Sequence, residues 1–106
     1  MSNTTTQVQF TIVDDELEVS APLTLEPLDD FFETEIGTSD TMLDLVDHHV
    51  RHDKTWQLTG DACHLILDHE TVAIEHIHTG ARVTLSRTDL RALLADLRAT
   101  LTKNHD

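Results

Sequence analysis

Leu90, Leu93, Leu94, Leu97 and Leu101 stand at i, i+3, i+4, i+7 and i+11, the spacing that gathers side chains onto one stripe of an α-helix. The pattern predicts a helix over residues 87–103. Ser86 stands where an N-cap belongs, Asp89 sits at the third helical position of an imperfect capping box, and Arg87, Arg91 and Arg98 line the flanks. Five leucines on one stripe are unstable in water. Each contributes roughly 1.5–3 kcal/mol on full burial before entropy is counted, so the chain must supply a second apolar layer for them to cover.

That layer is written upstream as alternation. Val8, Phe10 and Ile12 occupy every second position of one run, and Leu17 and Val19 do so after Asp14-Asp15, which predicts a hairpin. Trp56 and Leu58 alternate before Gly60-Asp61, a pair whose leading glycine suits a type II′ turn. Cys63, Leu65 and Leu67 alternate after it. His69-Glu70 and Thr79-Gly80 punctuate two further strands, one carrying Val72, Ile74, His76 and His78 and one carrying Val83 and Leu85. Between the two β regions, Leu28, Phe31 and Phe32 have helical spacing that predicts a short turn docking two rings on the core. Met42, Leu45, Val46, His49 and Val50 then predict a helix over residues 39–52, capped by Thr38 or Ser39. The order is β-β-α-β-β-β-β-α. It predicts an α+β fold: a mostly antiparallel sheet of about six short strands covered on one face by two amphipathic helices. Residues 1–6 are polar and read as a disordered terminus, leaving one domain over 7–103.

Charge narrows the function. The 106 residues carry 20 Asp+Glu against 7 Lys+Arg, a formal −13. A phosphate backbone needs a basic surface, so direct nucleic-acid binding is excluded, and an anionic membrane is disfavoured for the same reason. No apolar run approaches the length of a membrane span. The single cysteine forms no internal disulfide. The first six residues lack a basic segment followed by an apolar one, so a cytoplasmic protein without a signal peptide is expected. Aspartate (13) outnumbers glutamate (7) and lysine occurs twice, a balance that fits either a salty cytosol or an ordinary one.

The run from Lys54 to Leu65, with Trp56-Gln57 followed by Gly60, resembles the YacL-type small bacterial proteins, which carry a Ser-Trp-Gln-x-x-Gly segment before a strand. An N-terminal hairpin, an acidic stretch holding an aromatic pair like Phe31-Phe32, and a closing amphipathic helix are similar too, over residues 8–102. The chain departs from that group in lacking a Tyr-rich acidic insertion before the last strand. The group has no assigned activity, so the resemblance implies a fold and no site residues.

Eight histidines are the compositional oddity. His48 and His52 lie four apart on the first predicted helix with Asp44 one turn before, a spacing that brings two imidazoles and a carboxylate to one transition metal such as Zn or Ni. His76 and His78, two apart on a strand, point the same way and form a second candidate clip, which His64 on the next strand would approach. Against both stands the plain alternative of solvated polar faces. Cys63 is in phase with Leu65 and Leu67 and reads as a small core hydrophobe, because its neighbour His64 points to the opposite face. The three glycines are isolated, so no phosphate loop is present. The lone Trp56 reads as core.

The acidic runs remain. Asp14, Asp15, Glu16 and Glu18, then Asp29, Asp30, Glu33 and Glu35 around Phe31 and Phe32, form a candidate surface for a basic protein, with the two rings as apolar anchors if exposed. The expectation is a non-enzymatic protein acting through this surface. An immunity-type or nucleic-acid-mimic inhibitor is one form of it, and a metal-binding protein is the main alternative. A C2 homodimer through a sheet edge or the Leu-rich last helix is a further arrangement the pattern allows.

Overall fold

In the computed structural model, which describes residues 8–105, the two β regions form separate sheets. β1 (Gln9–Val13) and β2 (Glu16–Ser20) pair as an antiparallel hairpin. β3 (Thr55–Thr59), β4 (Cys63–Asp68), β5 (Thr71–His76) and β6 (Arg82–Ser86) form a four-stranded antiparallel meander in chain order. Among the described residues there are three α-helices. A short α1 (Leu28–Asp30) runs directly into a π-helical segment, Phe31–Ile36; α2 spans Asp40–His52 and α3 spans Arg87–His105. The expected α+β class is the observed one, with its six strands divided between two sheets. The expectation for residues 1–6 lies outside the described residues.

Register puts the apolar positions of the meander on one face. Trp56 faces Leu67, Leu67 faces Val72, and Val72 faces Leu85; Leu58, Leu65, Ile74 and Val83 form the next row. Cross-strand partners share a face, so this side is the floor of the core. Leu90, Leu93, Leu94, Leu97 and Leu101 of α3 close over it, together with Leu43, Val46 and Val50 of α2. The five leucines are at most 2% exposed, so their stripe is not free for a second copy of the chain. On α2 the buried set is Leu43, Val46 and Val50; Leu45, expected on the core stripe, is 40% exposed. Two overlapping stripes share Val46 and Val50, and local spacing does not decide between them.

Both long helices begin as their caps dictate. The backbone N–H of Met42 donates to Ser39 Oγ (3.2 Å), and that of Asp89 donates to Ser86 Oγ (3.0 Å). The hairpin packs on the same core through Val8 and Leu17, with Phe10 edge-on to Phe32 at 5.1 Å. Its turn holds Asp14 and Asp15 at φ 54° and 66°. Positive φ at both central residues is the signature of a type I′ hairpin, normally made with Asn or Gly.

The turn between β3 and β4 departs from expectation. Gly60 has no positive φ, so it is not the first residue of a type II′ turn. The backbone N–H of Gly60 donates to the Cys63 carbonyl (2.9 Å), and the chain reverses at Asp61-Ala62. β5 also ends earlier than the alternation suggests. His78 lies in the turn beyond it, where the N–H of Gly80 closes on the His76 carbonyl (2.9 Å) and Gly80 takes φ 77°.

Candidate functional site

The carboxylates named as one acidic surface fall into two groups. Asp14, Asp15, Glu16 and Glu18 are exposed on the β1–β2 hairpin, and none forms an ion pair among the described residues. Asp15 and Glu16, with Glu33, also line a hollow of about 400 Å³ beside the hairpin. The second group is bound to the fold. Glu33 Oε2 accepts the Val19 N–H (2.8 Å), tying the π-helical segment to β2. Glu35 accepts three backbone N–H groups at the β3–β4 turn: Asp61 (3.1 Å), Ala62 (2.9 Å) and Cys63 (2.9 Å).

This last contact explains Gly60. A Cβ on Gly60 would fall on the Glu35 carboxylate. The backbone conformation at Gly60 does not call for glycine, but any side chain there would displace the Glu35 carboxylate from the turn amides. Three turn amides converging on one carboxylate make charge-assisted hydrogen bonds. Glu35 is therefore a structural clamp, a correction to its expected place in the partner surface.

Phe31 and Phe32 are corrected as well. Both are fully buried, their rings 5.5 Å apart and edge-on, so neither anchors a partner. Asp29 and Asp30 are half-buried beside them. Asp29 Oδ1 is buried with no hydrogen-bond partner, and Asp30 Oδ2 lies 3.7 Å from His76 Nε2.

The histidine pairs behave differently from one another. His48 and His52 are exposed, with ring centroids 4.8 Å apart on one face of α2, as their spacing requires. Asp44, their expected third ligand, is held instead by Arg98 of α3 at 2.6 Å. His76 is tied at both ring nitrogens: Nδ1 accepts the N–H groups of His78 (3.2 Å) and Thr79 (3.3 Å), and Nε2 faces Asp30. His78, off the strand, meets it edge-on at 5.8 Å. His64 pairs across the sheet with Glu75, on the face opposite His76, and hydrogen-bonds Thr59 Oγ1 (2.6 Å). It does not approach the pair. Among the described residues no group of three or more His, Cys, Asp or Glu is placed to hold a metal ion.

Cys63 stands opposite His76 and is 1% exposed. Burial first, then the nearby Glu35, Asp30 and Asp29 carboxylates, push its thiol up to about 12. A thiol held neutral beside an imidazole with both nitrogens engaged is a poor nucleophile.

Two residues acquire roles that spacing did not disclose. His49 stacks on Trp56 at 4.2 Å and 12°, its Nδ1–H donating to Asp53 Oδ2 (2.6 Å). Arg87 donates to four carbonyls: His69 (2.5 Å), Val50 (2.6 Å), Asp53 (2.6 Å) and Lys54 (3.0 Å). It thereby caps the C-terminus of α2 and pins the β4–β5 turn. The residue order shows only an arginine near a helix start; its partners are distant in sequence and carry no residue code.

No helix among the described residues is long and apolar enough to cross a membrane. No family model, no curated protein and no solved structure matches this chain.

Proposed function

We propose that the protein is a non-catalytic binding module that takes up a basic protein through the acidic β1–β2 hairpin. The observation that carries this reading is the state of Asp14, Asp15, Glu16 and Glu18: exposed, unpaired among the described residues, and gathered on one hairpin. Uncompensated charge of this kind steers an oppositely charged partner and sets its orientation. With Phe31 and Phe32 in the core, the apolar contact at this end is Val13, 43% exposed beside the turn. The partner is a basic patch on a protein. A nuclease or DNA-binding protein restrained by carboxylates in place of phosphates is the inhibitor form of the same chemistry. The YacL-type resemblance, carried by Trp56-Gln57 and Gly60, assigns no activity and leaves this reading unchanged.

A lysine peptide serves as a defined basic probe. Changing Asp14 and Asp15 to Asn and Glu16 and Glu18 to Gln is expected to weaken its binding about tenfold at low salt, with the difference shrinking as salt screens it. Neutralising Asp44, Asp68, Glu75 and Asp96 instead should cost far less. Equal losses from the two sets would reduce the effect to net charge and end the proposal.

One observation supports a second reading. The 4.8 Å approach of the His48 and His52 rings suits a two-imidazole clip for Zn or Ni. Saturable thermal stabilisation by either metal, lost in His48→Ala, is the expected result; no shift with either metal removes this reading.

A further inference from the structure

The chain's few cations are not spread over its surface. Four of its seven Lys and Arg residues, Arg51, Lys54, Arg87 and Arg91, line one hollow of about 380 Å³ where the end of α2 meets the start of α3. Only two of its twenty carboxylates, Asp53 and Glu70, share the walls. The hollow thus carries a formal +2 within a molecule of −13.

The fold accounts for two of these cations. Arg87 is engaged by backbone carbonyls, and Arg51 binds Asp47 through Nε at 3.0 Å to both carboxylate oxygens. Lys54 and Arg91 are exposed, and neither forms an ion pair among the described residues. Asp53 is taken by His49. Two cations without an ion-pair partner among the described residues therefore face a polar hollow.

We propose that this hollow binds a small molecule bearing a phosphate group, the dianion held between Lys54 and Arg91. A phosphate monoester carries roughly −1.5 to −2 charges at neutral pH, which matches two cations with no ion-pair partner among the described residues, and a guanidinium fork fits its oxygens bidentately. The volume suits a small ligand. An extended polyanion such as a nucleic acid is opposed by the formal −13 of the whole chain, which a small phosphate ligand confined to the hollow largely escapes. Glu70, with no ion-pair partner among the described residues, opposes the ligand's charge and limits the affinity.

The test is a titration of the full chain with sodium phosphate and with pyrophosphate, at ionic strength held constant with chloride, followed by amide NMR. Saturable shifts are expected at Lys54, Thr88 and Arg91. Lys54→Ala/Arg91→Ala removes two exposed side chains and should weaken binding about tenfold or more, while Glu70→Gln should tighten it. The variant with Asp14, Asp15, Glu16 and Glu18 neutralised should bind phosphate as the unaltered chain does, since the site is independent of the hairpin. No saturable shift, or a shift that the double variant reproduces, overturns the proposal. Citrate binding as tightly as phosphate overturns the phosphate class.

Discussion

The β1–β2 hairpin and the π-helical segment are both rich in carboxylates, yet they put them to opposite uses. On the hairpin, Asp14, Asp15, Glu16 and Glu18 face water unpaired among the described residues. On the π-helical segment, Glu33 and Glu35 reach backbone N–H groups of β2 and of the β3–β4 turn. The difference lies in what stands opposite. A carboxylate aimed at water keeps its hydration and gains little. One aimed at amides that lack partners satisfies groups that would otherwise be costly to bury. Identical side chains thus serve as field on one element and as joint on the other.

The comparison predicts its largest break at Glu35. Hydrogen bonds to a charged acceptor contribute about 1.5–3 kcal/mol each when partly buried, and they are not additive. Glu35→Ala should therefore destabilise the fold by about 2–4 kcal/mol in urea denaturation. Gly60→Ala should lose nearly as much, because the new methyl group expels the same carboxylate. The double variant should cost little more than Glu35→Ala alone. Additive losses would mean that Gly60 has a separate role. Replacing any single hairpin carboxylate by its amide should stay within about 0.5 kcal/mol.

Cys63 sharpens the contrast, since its thiol senses the clamp. Its folded value, pushed up to about 12 from 9.0 by burial and then by Glu35, Asp30 and Asp29, lies above that of the unfolded chain. The unfolded chain therefore loses this proton first as pH rises. The stability contribution is fully present below pH 9 and is lost progressively towards 12. Native Cys63 should resist alkylation at pH 8, and Cys63→Val should flatten the alkaline limb of a stability–pH curve. Glu35→Ala should lower the thiol's value, though not to its ordinary one, because burial remains. Glu33→Ala, which removes a single exposed bond to Val19, should cost about 0.5–1 kcal/mol and leave the thiol unchanged.

What could be read from the chain follows the range of each interaction. Periodicity and caps are local, so the leucine stripe of α3, the alternation of β3–β6, the caps Ser39 and Ser86 and the docking of Leu28, Phe31 and Phe32 all appear in the residue order. The hidden features join segments that are distant along the chain. Gly60 reads as a turn glycine because nothing beside it shows Glu35 arriving from the other side of α2. Arg87 reads as a helix flank because carbonyls are the same in every residue. Asp44 matched a ligand position, and only the packing of α2 on α3 gives it to Arg98. The acidic run read as one surface because spacing records where a carboxylate is attached and not what it meets.

The smallest effect isolates the hairpin turn from its charge. Asp14 and Asp15 both hold positive φ, a conformation that costs a non-glycine residue about 1–2 kcal/mol and that glycine adopts freely. Asp15→Gly should stabilise the fold by about 0.5–1 kcal/mol, the relief being offset in part by the greater freedom of glycine in the unfolded chain. Asp15→Asn keeps much of the tolerance for that conformation and removes the charge, so it should leave stability nearly unchanged. The two variants separate the roles in the binding assay as well. Both lose one negative charge, so both should weaken the lysine peptide to the same small extent despite their different stabilities. If Asp15→Gly binds more weakly than Asp15→Asn, the turn contributes shape as well as charge, and the hairpin is then more than an electrostatic surface.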